Sequence, residues 1–187
     1  IENHYADDEY IVSLYSDHGS SVFTPRAEGA ELDVIGENST CAAWMMRGAG
    51  VPEGVRAQEL TSIADLYPTL GHLCSFPVSP DIDGRLPAVF GGRGRDTVCS
   101  FSMYPGQTYK LAMRTHEYAL RLETRGPVLG DGTADFADAA VGIYPRGHEL
   151  EHDHALDSAE LRAFFWPRAR DFVRGFANNA EYFSPQN

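Results

Sequence analysis

The run Tyr10–Tyr15 (YIVSLY) constrains this chain more than any other segment. It is continuously apolar and rich in β-formers, the pattern of a strand covered on both faces, as in a parallel sheet flanked by helices. It stops abruptly at Ser16-Asp17-His18-Gly19. Polar groups just past the carboxyl end of such a strand sit where open α/β sheets bind ligands. A carboxylate and an imidazole held side by side there make a pair of donors for a divalent cation. Gly19 is expected to let the chain turn sharply so that both side chains face one point. The bland reading of the same tripeptide is a polar turn.

The rest of the chain alternates helical and strand patterns. A loop rich in Gly, Pro and charge runs from Ser20 to Asn38, followed by an apolar stretch, Cys41–Met46, and a turn-rich segment, Arg47–Gly54. Thr61–Cys74 reads as a helix, with Ser62 or Asp65 as its cap and Pro68 near the first turn. Ile63, Leu66, Leu70 and Leu73 share its predicted apolar face, and Tyr67 is assigned to the core. Strand patterns follow at Thr97–Tyr104, Tyr109–Thr115 and Tyr118–Glu123, the last two joined by a short turn at His116-Glu117, which predicts an antiparallel hairpin. Residues 124–147 read as loop. A final helix is predicted from Asp157 or Ser158, burying Leu161, Phe164, Phe165, Phe172, Val173 and Phe176 and kinking at Pro167.

Composition narrows the partners. The formal charge is −12 over 187 residues, and Lys110 is the single lysine. Nucleic acids and anionic membrane surfaces, which are bound by clustered Lys and Arg, are poor partners for such a surface. No apolar run approaches the roughly 18–20 residues of a membrane span. Cys41, Cys74 and Cys99 are widely spaced, without C-x-x-C, and read as buried thiols with neither a disulfide frame nor a zinc knuckle.

The motifs, in order, resemble those of sulfatases and their phosphatase relatives in the alkaline phosphatase superfamily. Ser16-Asp17-His18-Gly19 matches a strand ending in Ser-Asp-His-Gly. Glu37 loosely matches a loop Glu, and Met45–Pro52 an apolar strand entering a glycine-rich turn. Asp65-Leu66-Tyr67-Pro68-Thr69-Leu70 matches D-x-Y-P-T-L, and Asp83-Gly84-Arg85-Leu86 is close to a D-G-x-x-L loop. Arg114-Thr115 with Tyr118, and Ile143-Tyr144 with the acidic stretch Glu149–Asp157, match the segments that lead into a last helix.

The resemblance implies an α/β fold. Residues 1–95 would form the second half of an alkaline-phosphatase-like α/β/α sandwich, and residues 96–187 a small antiparallel sheet with a terminal helix. It implies that Asp17 and His18 are ligands of a divalent metal, calcium first, with manganese, magnesium or zinc as alternatives. Two further carboxylates and the nucleophile come from the amino-terminal half in this family. That half would be the partner of this chain, with a small anionic ester as the substrate. The chain by itself would then be inactive.

Two departures qualify that expectation. The formylglycine signature C/S-x-P-x-R is absent, which places the nucleophile outside these residues. The lysine that sulfatases usually carry after Ser-Asp-His-Gly is missing too, and Arg26 is the cation in that loop. Arg26 is the candidate anion binder, with its fork of donors, against the plain reading of a solvated surface charge. Phosphomonoesters, phosphodiesters and phosphonates therefore stand beside sulfate esters as substrates, and a non-catalytic packing or recognition module is the alternative of a different class.

Other candidates read as structural. Asp7-Asp8 precedes the first strand at its amino end, away from the ligand-binding edge. His148-Glu149-Leu150-Glu151-His152 fits H-E-x-x-H, the zinc-protease pattern, with Glu160 or Glu181 as a conceivable third ligand. Pro145 and Gly147 stand where its helix should already be running, so a solvated or weakly metal-scavenging stretch is the better account. His72 reads as a partly buried or surface histidine.

Overall fold

Alternation of apolar residues at Tyr109, Leu111 and Met113, and again at Leu120 and Leu122, sets up the larger of two sheets. In the computed structural model, which describes residues 4–6, 9–20, 33–149 and 152–175, the elements are β1 (Ile11–Tyr15), α1 (Glu37–Thr40), β2 (Trp44–Gly48), α2 (Leu66–Cys74), β3 (Val98–Ser102), β4 (Thr108–Arg114), β5 (Tyr118–Pro127), β6 (Ala140–Pro145) and α3 (Ala159–Gly175). Turns of 3-10 helix lie at Ile63–Asp65, Ala88–Phe90 and His152–His154. The fold is mixed α/β, with a two-stranded sheet β1-β2, a four-stranded sheet β3-β4-β5-β6 and a carboxyl-terminal helix. The described residues fall into two compact units. One is drawn from Ile1–Phe23 and Asn38–Val98, the other from Thr24–Glu37 and Cys99–Asn187.

In the second unit, Leu111 pairs with Leu122 and Met113 with Leu120 across the antiparallel β4-β5 hairpin, and Leu120 pairs with Ile143 of β6. These residues share one face, and Phe165, Ala169 and Val173 of α3 join them in a single core. Burying each large side chain is worth roughly 1.5–3 kcal/mol, so this contact holds the unit together. The hairpin turn forms as its sequence predicts. Thr115 Oγ accepts from the backbone N–H of Tyr118 at 2.9 Å and of Glu117 at 3.2 Å. Ser158 receives the first turn of α3, its Oγ accepting from Leu161 N–H at 3.3 Å and its carbonyl from Arg162 N–H at 3.0 Å. Pro167 sits inside the helix. Phe176 lies outside the described residues.

Sequence periodicity misses β6, which falls inside a stretch read as loop. Gly142 and Pro145 suggest a break, but among the described residues β6 is an edge strand paired with β5, where a proline at the end costs no ladder bond. The Tyr144 ring lies where a Cβ on Gly142 would be.

In the first unit, β1 pairs antiparallel with β2 in the register Ile11–Gly48, Ser13–Met46 and Tyr15–Trp44. Trp44 Nε1–H donates to Ser13 Oγ at 3.2 Å. Gly48, at φ +117°, packs on the Tyr10 carbonyl, where any Cβ would overlap it. The apolar run of β1 predicts burial on both faces and a parallel neighbour. Its neighbour is antiparallel, and Val12, Leu14 and Tyr15 are exposed together with Met45 of β2. The strand has the composition of a covered one, and the described residues do not supply its cover.

The Thr61–Cys74 helix begins as a 3-10 turn capped by Ser62, whose Oγ accepts from Ala64 N–H, while the Asp65 carboxylate accepts from Ser62 N–H at 2.9 Å, a reciprocal capping box. α2 ends at Ser75, a left-handed residue at φ 57°. Its buried residues are Pro68, Thr69 and Gly71. The predicted Ile63/Leu66/Leu70/Leu73 face is only half-buried, with Ile63 exposed. Tyr67, assigned to the core from sequence, is exposed and packs on the Phe76 ring at 5.6 Å. Buried instead are Pro68, Asp65 with its polar network, and Thr69, whose Oγ1–H donates to the Asp65 carbonyl at 2.7 Å. The thiols also differ from expectation, since Cys41 and Cys74 are exposed.

Candidate metal centre

β1 delivers its polar end between two anchors. Ser16 is fixed first, its N–H donating to Ala43 O at 3.0 Å and its Oγ accepting from Ala43 N–H at 2.8 Å. Gly19 is fixed next, its N–H donating to Ser39 O at 2.9 Å. A Cβ at Gly19 would overlap the carbonyls of Asn38 and Cys41, so glycine is required here for close backbone approach and not for the sharp turn expected from sequence. Asp17 and His18 project from between these anchors with side chains 86% and 73% exposed.

The two side chains lie side by side. Asp17 Oδ2 and His18 Nε2 are 3.7 Å apart, and Asp17 Oδ1 accepts from His18 N–H at 3.0 Å. His18 Nδ1 faces the Gly19 carbonyl. A proton on Nδ1 satisfies that contact and leaves Nε2 with its lone pair outward, the tautomer a metal ligand needs. Donors 3.7 Å apart can both stand about 2.3–2.6 Å from one ion, so the pair fits two adjacent positions of a cation's shell. A hard cation takes about six to eight oxygens or their equivalents. Among the described residues, no group of three or more His, Cys, Asp or Glu is placed to hold a metal ion.

Of the other candidates, Arg26, Asp7 and Asp8 lie outside the described residues. Glu37 is engaged by Arg146 at 2.6 Å. His72 is exposed, its ring 6.5 Å from that of Phe90.

The H-E-x-x-H run does not form a zinc-protease site. Glu149, which would activate water, is 5% exposed and paired with Arg114, Nε to Oε1 at 2.8 Å. The helix that would bring His148 and His152 to one face is replaced by a turn at Gly147 (φ +86°) and the 3-10 turn beginning at His152. Glu151 and Glu181 lie outside the described residues, and Glu160 is on the first turn of α3.

The sequence marks Asp65 as a cap candidate and as the first residue of D-x-Y-P-T-L, but not as the centre of a buried polar network. Asp65 is 1% exposed and accepts from Ser62 N–H, Arg85 N–H at 2.7 Å, and Arg95 Nε at 2.8 Å, with Arg95 Nη2 also bonded to it. Arg95 Nη2 continues to the Asp83 carbonyl at 2.7 Å. The D-x-Y-P-T-L and D-G-x-x-L segments are thus tied through one guanidinium. The capping-box spacing from Ser62 to Asp65 was the available signal.

No family model and no curated protein matches this chain. Among solved structures it is similar to a candidate sulfatase from Bacteroides thetaiotaomicron VPI-5482, with a TM-score of 0.61 and 18% identity, over 89% of this chain and 35% of that one. The chain thus spans about a third of the length of the structure it matches. The likeness establishes a sulfatase-type fold over most of this chain.

Proposed function

We propose that this chain is the carboxyl-terminal part of a metal-dependent, sulfatase-like ester hydrolase, with Asp17 and His18 as two ligands of its cation, calcium first. The observation that carries the reading is the adjacent, outward placement of the Asp17 carboxylate and His18 Nε2 at the end of β1. The sulfatase-type fold supports it independently. A bound divalent cation supplies Lewis-acid polarisation of a sulfate or phosphate oxygen. The chain's own part is to present a carboxylate and an imidazole side by side between the Ser16 and Gly19 anchors. Arg26 is assigned to binding the ester anion.

The nucleophile and the remaining ligands are assigned to polypeptide outside this chain. The open apolar face of Val12, Leu14 and Met45 is the surface such a segment would cover. On this reading the chain alone does not turn over sulfate or phosphate esters. The absence of a lysine between Gly19 and Glu37 favours giving phosphate esters equal weight as substrates.

The test is metal content and hydrolysis of aryl sulfates and aryl phosphates by the longer protein carrying Asp17→Ala or His18→Ala. Removal of a ligand should cost at least the ~10–100-fold that loss of second-shell support costs, with calcium content falling in parallel. Unchanged metal content and rate would instead identify the chain as a non-catalytic packing module, with Asp17-His18 a plain turn.

A further inference from the structure

The segment after β6 carries an arrangement that the hydrolase reading does not use. The chain leaves β6 at Pro145, turns with His148 N–H donating to Pro145 O at 3.1 Å, and returns until Leu156 N–H donates to Ile143 O at 2.7 Å. The loop doubles back on its own start. In doing so it brings together His148 and His154, six positions apart, with ring centroids at 4.9 Å, planes inclined by 58° and Nδ1 to Nδ1 at 3.2 Å.

Two imidazole nitrogens this close can be bridged in two ways. They can share one proton, one ring donating and the other accepting. They can also share an ion. Nitrogens that each lie about 2.0–2.1 Å from a zinc ion and 3.2 Å from one another subtend roughly 100°, near the tetrahedral angle. Both residues are exposed, so an ion can reach them with water filling its remaining positions.

We propose that His148 and His154 form a two-imidazole site for a borderline divalent transition ion, zinc first and copper(II) or nickel(II) by the same donors, which clips the loop between β6 and α3. Two nitrogen donors without a carboxylate suit these ions, whereas the Asp17-His18 pair offers one carboxylate and one imidazole. The site lies on other residues than that pair and is independent of the hydrolase reading. It also differs from the H-E-x-x-H reading, because its second ligand is His154 and not His152. The proton balance is internal. The ring that carries its proton on Nδ1 in the metal-free pair moves it to Nε2 when Nδ1 takes the ion.

Calorimetric titration of the metal-stripped chain with zinc chloride alone tests this. One saturable zinc per chain is expected. Either His148→Ala or His154→Ala should lower its affinity at least 10-fold, while His152→Ala and Asp17→Ala should leave it intact. Histidine nitrogen-15 spectra should show both rings protonated at Nε2 in the zinc form, and His154→Gln gives a second variant should the alanine form fail to fold. Absence of saturable binding, binding that survives substitution of His154, or loss on His152→Ala equal to that on His148→Ala would each overturn the proposal.

Discussion

Arg114 and Glu149, thirty-five positions apart, close on each other with Nε and Oε1 at 2.8 Å and almost no solvent access to either side chain. A second donor of the same guanidinium, Nη2, reaches the Ile35 carbonyl at 2.6 Å. Removing one partner of such a pair strands a buried charge, at a cost of about 3–5 kcal/mol. Glu149→Ala should lower the urea stability by that amount, and pairing it with Arg114→Met should recover much of the loss. Were Glu149 a water-activating base, Glu149→Ala would leave stability nearly unchanged.

Asp65 plays the corresponding part in the first unit. Its carboxylate takes backbone N–H bonds from Ser62 and Arg85 and the side chain of Arg95 at once. Asp65→Ala should therefore leave two N–H groups without this acceptor and the Arg95 guanidinium without its carboxylate partner, for a loss of about 3 kcal/mol or more. Amide hydrogen exchange at Arg85 should accelerate in that variant. Exchange at Arg85 as slow as in the parent would show that the bond is not sustained in solution.

Residues 33, 35 and 37 are each gripped by an arginine. Arg121 holds Asp33 through two bonds of 2.6 and 2.7 Å, Arg114 holds the Ile35 carbonyl, and Arg146 holds Glu37 at 2.6 Å. Planar two-point recognition belongs to arginine and not lysine. Charge-assisted bonds of this kind contribute about 1.5–3 kcal/mol, equivalent to tenfold or more in a local opening equilibrium. Arg121→Ala, and to nearly the same degree Arg121→Lys, should raise exchange at residues 33–37 at least 10-fold while leaving protection in the β4-β5 hairpin unchanged. An equal rise in both places would mean that the contact supports the whole unit.

These contacts mark the boundary of what the sequence discloses. The β4-β5 hairpin and the α3 core face follow from local periods of two and 3.6 residues, and the capping box follows from a three-residue spacing. The position of Asp17 and His18 is legible because a strand end, an acid and an imidazole are contiguous. Arg121–Asp33 spans 88 positions and Arg95–Asp65 spans 30, and ion pairs at such separations leave no periodic trace. The exposure of Val12 and Leu14 is illegible for a related reason: an apolar, β-branched run has the composition of a buried strand, but burial depends on residues distant in sequence that the run does not specify. β6 was hidden because Gly142 and Pro145 are tolerated at a sheet edge and read as breakers elsewhere.

Tyr109 offers a test of the second unit's core. It is fully buried, edge-on to Phe136 at 5.1 Å and stacked near Phe101 at 6.4 Å, and its hydroxyl has no hydrogen-bond partner among the described residues. Burial, and then the nearby Cys99, push its phenol well above the ordinary value. Replacing an unsatisfied buried hydroxyl by hydrogen should therefore help, and Tyr109→Phe should gain about 1–3 kcal/mol at neutral pH. The sign of the pH dependence follows from the same shift. Below about pH 10, where an unfolded tyrosine keeps its proton, folded and unfolded chains bind it equally and the phenol adds no slope. Above that, the unfolded chain releases a proton that the folded chain retains, so the parent loses stability as pH rises. The advantage of Tyr109→Phe should accordingly be constant from pH 7 to 9 and widen from pH 10 to 11 in urea melts. A variant less stable than the parent at pH 7, or an advantage that does not change with pH, would mean that the hydroxyl finds a partner in solution.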